Sequence, residues 1–318
     1  MTSQLFFDEE INTAVHAQSP YNQKGTRNTL NSTDNIYRGG GSQLLVGVTS
    51  DGQGGYTGTF DIGLSNVPTS VGTVASASAA SYRPSEVAVE AIGALFGSGL
   101  AAGTTSATTT PLPTELGGVQ VRVRDALGVE RMAPLFFVSP AQINFQVPAA
   151  TSAGTALLSV LLNGAGAGQG TAAVAPVAPG LFAANATGQG VASAVALRVR
   201  GDGTQSFEAV AQFDAAQSLY VPVPIDLGAE TDQVFLVVFG TGFRNRSALS
   251  AVRATLFPSG SESDSTAAEV TSAGAQGSFA GLDQANILLP RGLAGRGNLD
   301  LVLNVDGIAA NRVTINVK

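Results

Sequence analysis

Apolar and polar residues alternate with a period of two in several short segments of the chain. Val119, Val121 and Val123 alternate with glutamine and arginine, and residues 143–147 and 195–200 repeat the pattern. Successive side chains of a β-strand point to opposite faces of its sheet, so this period indicates strands with one buried and one solvated face. The alternation therefore predicts a chain built mainly from short strands.

Tight turns connect these predicted strands. Residues 299–305 alternate, Asp306-Gly307 predicts a turn, and residues 313–317 return as a second strand. Residues 234–239 form a continuous apolar run, which is typical of a central strand. No window keeps a period of 3.6 over three turns, and the one helix we predict is a short turn after Pro84. Many short strands separated by glycine, proline and aspartate turns are typical of β-sandwiches.

Two sequence motifs occur twice at nearly the same spacing. Residues 142–148 (QINFQVP) are repeated at 284–290 (QANILLP), and residues 96–100 (FGSGL) at 239–243 (FGTGF). The offsets are 284 − 142 = 142 and 239 − 96 = 143. Chance matches would not keep a common spacing, so the two motifs predict a duplicated domain.

The predicted fold is all-β, with two tandem immunoglobulin-like β-sandwiches preceded by an extended N-terminal arm and a hairpin. The predicted parts are an arm at 1–40, a hairpin and linker at 41–75, and sandwiches at 76–179 and 180–318.

The first 40 residues are polar and aperiodic, a composition that by itself predicts disorder. Their apolar cluster is Leu5, Phe6 and Phe7. Alternation from Leu44 to Leu64 around the turn 51–55 predicts a hairpin, which is marginal alone and needs a surface to dock on. Residues 66–80 are rich in small residues and predict a linker.

Charge is scarce and unevenly distributed. Charged residues make up 12% of the chain, about half of the usual share of about 25%. Between Arg131 and Arg198 there is no charged residue and no histidine. Either a neighbouring molecule covers this surface, or glycine, alanine, asparagine, glutamine and threonine suffice for solubility.

Net charge, cysteine content and apolar runs argue against several classes of partner and site. A net charge of −7 without a basic cluster argues against nucleic acid, because phosphate binding needs concentrated positive charge. Without cysteine there are no disulfides or cysteine metal sites. The chain contains no run of about 18 apolar residues, so we predict no transmembrane segment. No signal peptide is visible before Asp8, as expected of a cytosolic chain or of one numbered from within a longer product.

Catalytic chemistry finds little support, and we predict no catalytic, cofactor-binding or metal-binding residues. The single histidine, His16, lies in the polar arm, where a catalytic base would be poorly fixed. Asp51-Gly52 and Asp202-Gly203 each offer one carboxylate, fewer than calcium requires, so plain turns are favoured. A glycosidase needs only two carboxylates, but no pair stands out. The acidic side chains at 86, 90, 115, 125, 262 and 264 are predicted to be solvated.

Two further alternatives concern ligands. Sugar stacking requires exposed aromatic rings, and the chain has no tryptophan and five tyrosines, so a glycan site is weakly supported. Gly97, Gly99, Gly240 and Gly242 resemble a nucleotide loop, but a phosphate loop needs a following helix, and β-type sequence follows here. We predict structural turns, with Gly99 and Gly242 supplying positive φ at a strand end.

The two repeated motifs, the segment 111–119, the stretch 137–148 and the segment 178–182 together resemble an uncharacterised C-terminal domain family abundant in Solibacter and other acidobacteria. The resemblance covers about residues 75–318. That family is similar to immunoglobulin-like modules of the IPT/TIG type. It usually ends large exported proteins and has no defined catalytic residues. This chain differs from it in having only a short N-terminal extension.

These observations lead us to expect a non-enzymatic structural protein of the bacterial cell surface. It would assemble with copies of itself, Leu5 and Phe7 of the arm completing a sheet edge of the next subunit by strand addition. The alternative is an adhesion or glycan-binding accessory module of a secreted protein. A hydrolase would require two carboxylates about 5–9 Å apart in a cleft.

Overall fold

A computed structural model describes residues 5–39, 41–60 and 71–318. It consists mostly of β-sheets, which confirms the predicted all-β sandwich fold. The chain divides into two compact units, Met1–Thr69 and Ser70–Lys318. No helix among the described residues is both long and apolar enough to span a membrane.

The N-terminal unit contains helices that the sequence analysis did not predict. They are α1 (Glu9–His16), α2 (Asn35–Arg38) and 3-10 turns at Tyr21–Lys24 and Gly41–Leu44. Acidic Glu9 and Glu10 begin α1 and His16 ends it, which suits the helix dipole. The predicted helical turn after Pro84 is wrong: Ser85 has φ 61 and a strand follows it.

The predicted hairpin is confirmed in its centre. Strands β1 (Val48–Ser50) and β2 (Tyr56–Gly58) pair antiparallel. The carboxylate of Asp51 accepts the backbone N–H groups of Gln53 and Gly55, both at 2.8 Å, which closes the turn. Leu44, expected in the first strand, lies in a 3-10 turn instead. The predicted continuation through Ile62 and Leu64 lies outside the described residues.

Residues 71–318 of the C-terminal unit contain 23 strands, β3 to β25. The first eleven are β3 (Gly72–Thr73), β4 (Ala75–Ser78), β5 (Glu86–Ala88), β6 (Ile92–Phe96), β7 (Thr105–Ser106), β8 (Val119–Arg124), β9 (Glu130–Met132), β10 (Leu135–Val138), β11 (Gln142–Gln146), β12 (Gly154–Leu162) and β13 (Ala165–Ala175). The others are β14 (Gly180–Leu181), β15 (Ala194–Val199), β16 (Gln205–Ala209), β17 (Ala211–Asp214), β18 (Leu219–Pro222), β19 (Gln233–Thr241), β20 (Val252–Pro258), β21 (Thr266–Ala275), β22 (Asp283–Leu288), β23 (Gly297–Val305), β24 (Ile308–Ala309) and β25 (Val313–Val317). Short 3-10 turns occur at Leu249–Ala251, Glu262–Asp264 and Arg291–Leu293.

Strands β3 to β13 form the first sandwich. One sheet has the order β4-β6-β11-β10-β7, and the other β3-β13-β12-β8-β9 with β5 beside β13. The alternating valines of β8 and the apolar residues of β11 are buried in a common core. Part of the predicted linker is thus wrong, because β3 and β4 belong to these sheets.

Strands β14 to β25 form the second sandwich, apart from the separate hairpin β17-β18. Its strand order is β16-β15-β19-β22-β21-β20-β23-β24, with β14 beside β19 and β25 beside β23. Strand β21 pairs first with β20 and then with β22, so it passes from one layer to the other. The core contains the alternating leucines of β23 and the apolar residues of β19 and β25.

In each sandwich the two motifs lie on neighbouring strands, and their pairing has the same register in both. Gln142 of β11 lies opposite Phe96, and Gln284 of β22 lies opposite Phe239. The pairs β10-β11 and β21-β22 each contain a bulge at the same place. In the first pair the bulge in β10 lies opposite Asn144 and Phe145, and in the second the bulge in β21 lies opposite Asn286 and Ile287. Equivalent residues of β11 and β22 are 142 residues apart, and the two phenylalanines are 143 residues apart, which are the offsets of the two sequence motifs.

Candidate functional site

The apolar cluster of the N-terminal unit is paired with the chain's own next segment. Phe6 forms a parallel bridge with Leu45: its N–H donates to the carbonyl of Leu44 at 3.0 Å, and its carbonyl accepts from Val46 N–H at 2.7 Å. The Phe6 ring packs edge-on against Tyr37, with the centroids 5.2 Å apart. Within one chain this segment is thus held by a single bridge, and strand addition to another copy stays a prediction.

Leu5 and Phe7 flank this bridge and are exposed, at 47% and 39%. Their predicted contact with the next subunit stays a prediction. They line an open apolar groove of about 680 Å³, which we call the N-terminal groove. Its other lining residues are Ile11, Asn12, Val15, His16, Tyr21, Val46, Val48, Tyr56, Gly58 and Phe60.

The N-terminal groove has an apolar floor and polar supports at its rim. Ile11 and Val15 are four residues apart in α1 and therefore lie on one helix face. The carbonyl of Phe7 accepts hydrogen bonds from the amide groups of Asn12 and Asn31, at 2.9 and 2.7 Å. Among the described side chains of residues 5–60, Val46 is the one apolar group that is buried. The described part of this unit therefore has almost no core.

The four predicted turn glycines fall into two structural classes. Gly99 and Gly242 have φ of +67° and +83°, a region that L side chains avoid. Gly97 and Gly240 are needed for space. A Cβ on Gly97 would lie 3.1 Å from Leu100, and one on Gly240 would lie 2.7 Å from the ring of Phe243 and clash with the carbonyl of Gly180.

The residue between the second pair of glycines joins the two sandwiches. The hydroxyl of Thr241 accepts the N–H of Ile92 at 2.8 Å and donates to the carbonyl of Gly281 at 2.7 Å. Thr241 is 1% exposed, whereas its counterpart Ser98 is exposed. The sequence resemblance of the two motifs gave no sign of this difference.

A buried carboxylate closes the same turn. Asp283 accepts backbone N–H groups from Phe243 and Arg244 and the Nε–H of Arg244, at 2.8, 3.1 and 2.8 Å. Burial raises the pKa of Asp283, against the lowering effect of these bonds. The group stabilises the turn.

Asp125 was predicted to be solvated, and this is wrong. Its carboxylate accepts the N–H groups of Leu127 and Val129 and binds the guanidinium of Arg131 at 2.8 Å. It also accepts the N–H of Ser152 at 3.1 Å. Burial would raise the pKa of Asp125, but these four hydrogen bonds outweigh it and lower the pKa. The aspartate organises a turn.

Strand β16 lies at the end of its sheet and carries Phe207, which is 70% exposed. Glu208 on this strand binds Arg198 of β15 in a bidentate ion pair, with 2.6 Å between Nε and Oε1 and 3.1 Å between the second pair of atoms. The guanidinium of Arg198, which also contacts Asp232 at 3.2 Å, lowers the pKa of Glu208. The negative charge that Glu208 brings to β16 is therefore neutralised by Arg198.

One surface depression brings acidic side chains together. Glu230, Asp232 and Glu269 line a cavity of about 450 Å³ that also contains Arg291. Asp232 is engaged by Arg198. Among the described residues, no group of three or more histidine, aspartate or glutamate side chains is arranged to hold a metal ion. The absence of catalysis stays a prediction.

Comparisons with known proteins add little. No family model matches the chain, and no curated protein matches it. One similar solved structure is an auxiliary nutrient-binding protein from Bacteroides ovatus ATCC 8483, at 11% identity and a TM-score of 0.19. The match covers 50% of this chain and 44% of that one, and at this TM-score it carries no argument about function. The resemblance to the acidobacterial domain family therefore remains an expectation.

Proposed function

We propose that this chain is a non-enzymatic structural protein of the bacterial cell surface that assembles with copies of itself through its N-terminal unit. The observation that carries the proposal is the N-terminal groove. A segment whose described residues bury one apolar side chain cannot stabilise itself by its own core, so its exposed apolar face favours a contact with another molecule.

The proposed mechanism is an exchange of the segment Leu5–Phe7 between copies. Within one chain, Phe6 bonds to Leu44 and Val46. In the assembly it makes the same two hydrogen bonds to the next copy. Exchange of an identical element costs little, because the bonds that open within one chain form again between copies, and a head-to-tail exchange that does not close produces a fibre.

The sandwiches support a structural role. We infer that they are a duplicated domain, because the repeated motifs share register and bulge position. Their resemblance to the acidobacterial C-terminal family suggests export. The charge-free stretch between Arg131 and Arg198 includes β13, where alanine, glycine and glutamine are exposed, and such a surface suits contact with neighbours.

A pair of cysteines tests the exchange directly, since the chain has none of its own. In the variant Phe6→Cys with Leu45→Cys, mild oxidation links bridged residues. Exchange between copies gives a ladder of covalent multimers on a non-reducing gel, and pairing within one chain gives monomer alone. The latter result, obtained on polymers visible by electron microscopy, would exclude this connector.

Charge substitutions provide a second test with a matched control. Leu5→Asp with Phe7→Asp places carboxylates in the N-terminal groove and should abolish polymers, as should removal of residues 1–40. Phe279→Asp alters an aromatic side chain that is 67% exposed elsewhere and should leave assembly intact. Polymers of unchanged length in the double variant would contradict the proposal.

One observation favours the alternative of glycan binding. Phe213 and Tyr220 face each other across the hairpin β17-β18, edge to face with centroids 5.5 Å apart. Both are exposed, at 58% and 40%, so their rings are available for stacking on a sugar. A glycan array with the native chain and with Tyr220→Ala tests this role. Binding that depends on Tyr220 would support it.

A further inference from the structure

The outer edge of β16 is a strand edge whose backbone groups face solvent. Arg200 N–H donates to the carbonyl of Thr204 at 2.9 Å, which makes this the first hydrogen-bonded pair of the β15-β16 ladder. Such pairs alternate along an antiparallel ladder, so Ser206 and Glu208 bond to β15. The backbone groups of Gln205, Phe207 and Ala209 therefore point away from β15, and all three residues are exposed.

Several other edge strands of this unit are protected. Strand β25 is covered by bridges from Val191 to Thr314 and from Ile225 to Val317. Strand β9 has three residues and carries the charges of Glu130 and Arg131. Strands β3, β7 and β24 have two residues each. Short, charged or covered edges are the usual defences against pairing with another chain.

Strand β16 has none of these defences. It is five residues long and contains neither lysine nor proline. Its single charge, on Glu208, is neutralised by the bidentate contact with Arg198. Phe207 adds an exposed ring at its centre. An edge of this kind favours strand addition.

We infer that β16 pairs antiparallel with β16 of a second copy, around a two-fold axis at Phe207. The outward-facing residues are spaced symmetrically about Phe207. Two-fold pairing sets Phe207 opposite its equivalent and Gln205 opposite Ala209 of the second copy, so every outward N–H and carbonyl finds a partner. No other register of β16 on itself uses all three residues.

The side chains also suit this pairing. On the outer face of the sheet Phe207 lies opposite Leu197, which lies opposite Phe235, which lies opposite Leu288. Two-fold pairing would join two such rows into one apolar strip across both copies. Ser206 would face Glu208 of the second copy, so no two carboxylates face each other. A closed two-fold contact and the proposed N-terminal exchange use different surfaces, and together they would link fibres or branch them.

Single cysteines test the register. Directly opposed residues of a hydrogen-bonded pair lie about 5.5 Å apart between Cα atoms, which suits a disulfide. Phe207→Cys should therefore give covalent dimers on mild oxidation. Phe279→Cys, which replaces a ring exposed to a similar extent at 67%, should give several-fold fewer.

Gln205 provides a control for the antiparallel direction of the β16 pairing. Gln205→Cys would be about 13 Å from its own equivalent, four residues along the ladder, and should not form dimers alone. Mixed with Ala209→Cys it should form them. Equal dimer yields from Phe207→Cys and Phe279→Cys, or efficient dimers of Gln205→Cys alone, would overturn the inference. The denaturing gel detects only this covalent link, so a failure of N-terminal assembly would not alter the result.

A measurement without crosslinking completes the test. Phe207→Lys would place two ammonium groups opposite each other and should weaken the dimer by about tenfold or more in sedimentation equilibrium, while Phe279→Lys should not. Both variants alter exposed side chains, and circular dichroism would verify that the fold is retained. Unchanged association of Phe207→Lys would count against β16 as the contact.

Discussion

Gln142 and Gln284 make the same hydrogen bond in two different sheets. Each donates its Nε2 to the Oδ1 of the asparagine two residues further on, and both distances are 2.8 Å. Each glutamine lies opposite the phenylalanine that begins the glycine-rich motif. The two copies of the sequence motif thus share a hydrogen bond and a register of strand pairing. Where the two copies differ, the difference predicts a measurable effect.

The first difference concerns the glycines that make space. Gly240→Ala places a methyl group against the backbone carbonyl of Gly180, which cannot move aside easily. We expect a loss of roughly 1–3 kcal/mol in the free energy of unfolding, as for other overpacked sites. Gly97→Ala meets the flexible end of Leu100 at 3.1 Å and should cost less. Urea unfolding of both variants measures the difference, and Gly292→Ala, where the space is open, is the control.

The second difference concerns the hydroxyl between the glycines. Thr241→Val keeps the shape but leaves Ile92 N–H and the carbonyl of Gly281 without their partner. Loss of a buried hydrogen bond costs about 1–3 kcal/mol, so the C-terminal unit should unfold at a lower denaturant concentration. Ser98→Ala at the equivalent, exposed position should change stability by less than about 0.5 kcal/mol. Equal effects at the two positions would show that Thr241 does not connect the sandwiches.

The ion pairs beside β16 lead to a third prediction. Arg198 is 6% exposed and holds both Glu208 and Asp232. Arg198→Met keeps much of the apolar stem but leaves two carboxylates facing each other without a cation. Because Glu208 is partly exposed, water would screen it, and we expect a modest loss of about 1–2 kcal/mol. Titration by NMR should also find the pKa of Glu208 higher than in the native chain. A pKa that does not move would mean that Arg198 is not its partner.

Much of the sandwich architecture could be predicted because local sequence determines it. Alternation marked β8, β11, β15 and β23, and Asp306-Gly307 marked the turn before the last strands. These features depend on residues that are neighbours in the chain. The predicted strand end at Pro148 also agrees with β11, which ends at Gln146.

Some errors concern local features, and others concern features that distant residues decide. Helix α1 is eight residues long, too short for a period of 3.6 to be recognised in a polar segment, although Asp8-Glu9-Glu10 was a usable signal of a helix start. Strand β4 consists of alanine and serine, a composition typical of linkers, and only its pairing with β6 shows that it is a strand. Exposure of β16 depends on sheet order, which composition does not specify.

The burial of Asp125 also depends on a distant residue, and the hydrogen bonds of this carboxylate lead to the last prediction. Three of its four hydrogen-bond partners lie within six residues, but Ser152 is 27 residues away and helps to enclose the group. The resulting pKa of Asp125 is below its ordinary value of 3.8. A carboxyl whose pKa is lowered on folding stabilises the fold above its unfolded pKa, and this contribution is lost as the pH falls through the folded pKa.

Acid unfolding of the native chain should therefore include a proton uptake by Asp125 below pH 3.8. Asp125→Asn removes that step. The variant should be less stable at pH 7, because an amide cannot replace the charged acceptor of Arg131, and its stability should fall less steeply between pH 4 and pH 2. Urea midpoints at a series of pH values give both slopes. Asp264→Asn, at an exposed aspartate in a surface turn, is the control for replacing a carboxylate by an amide. Parallel curves for the native chain and Asp125→Asn would show that Asp125 keeps an ordinary pKa in the folded state.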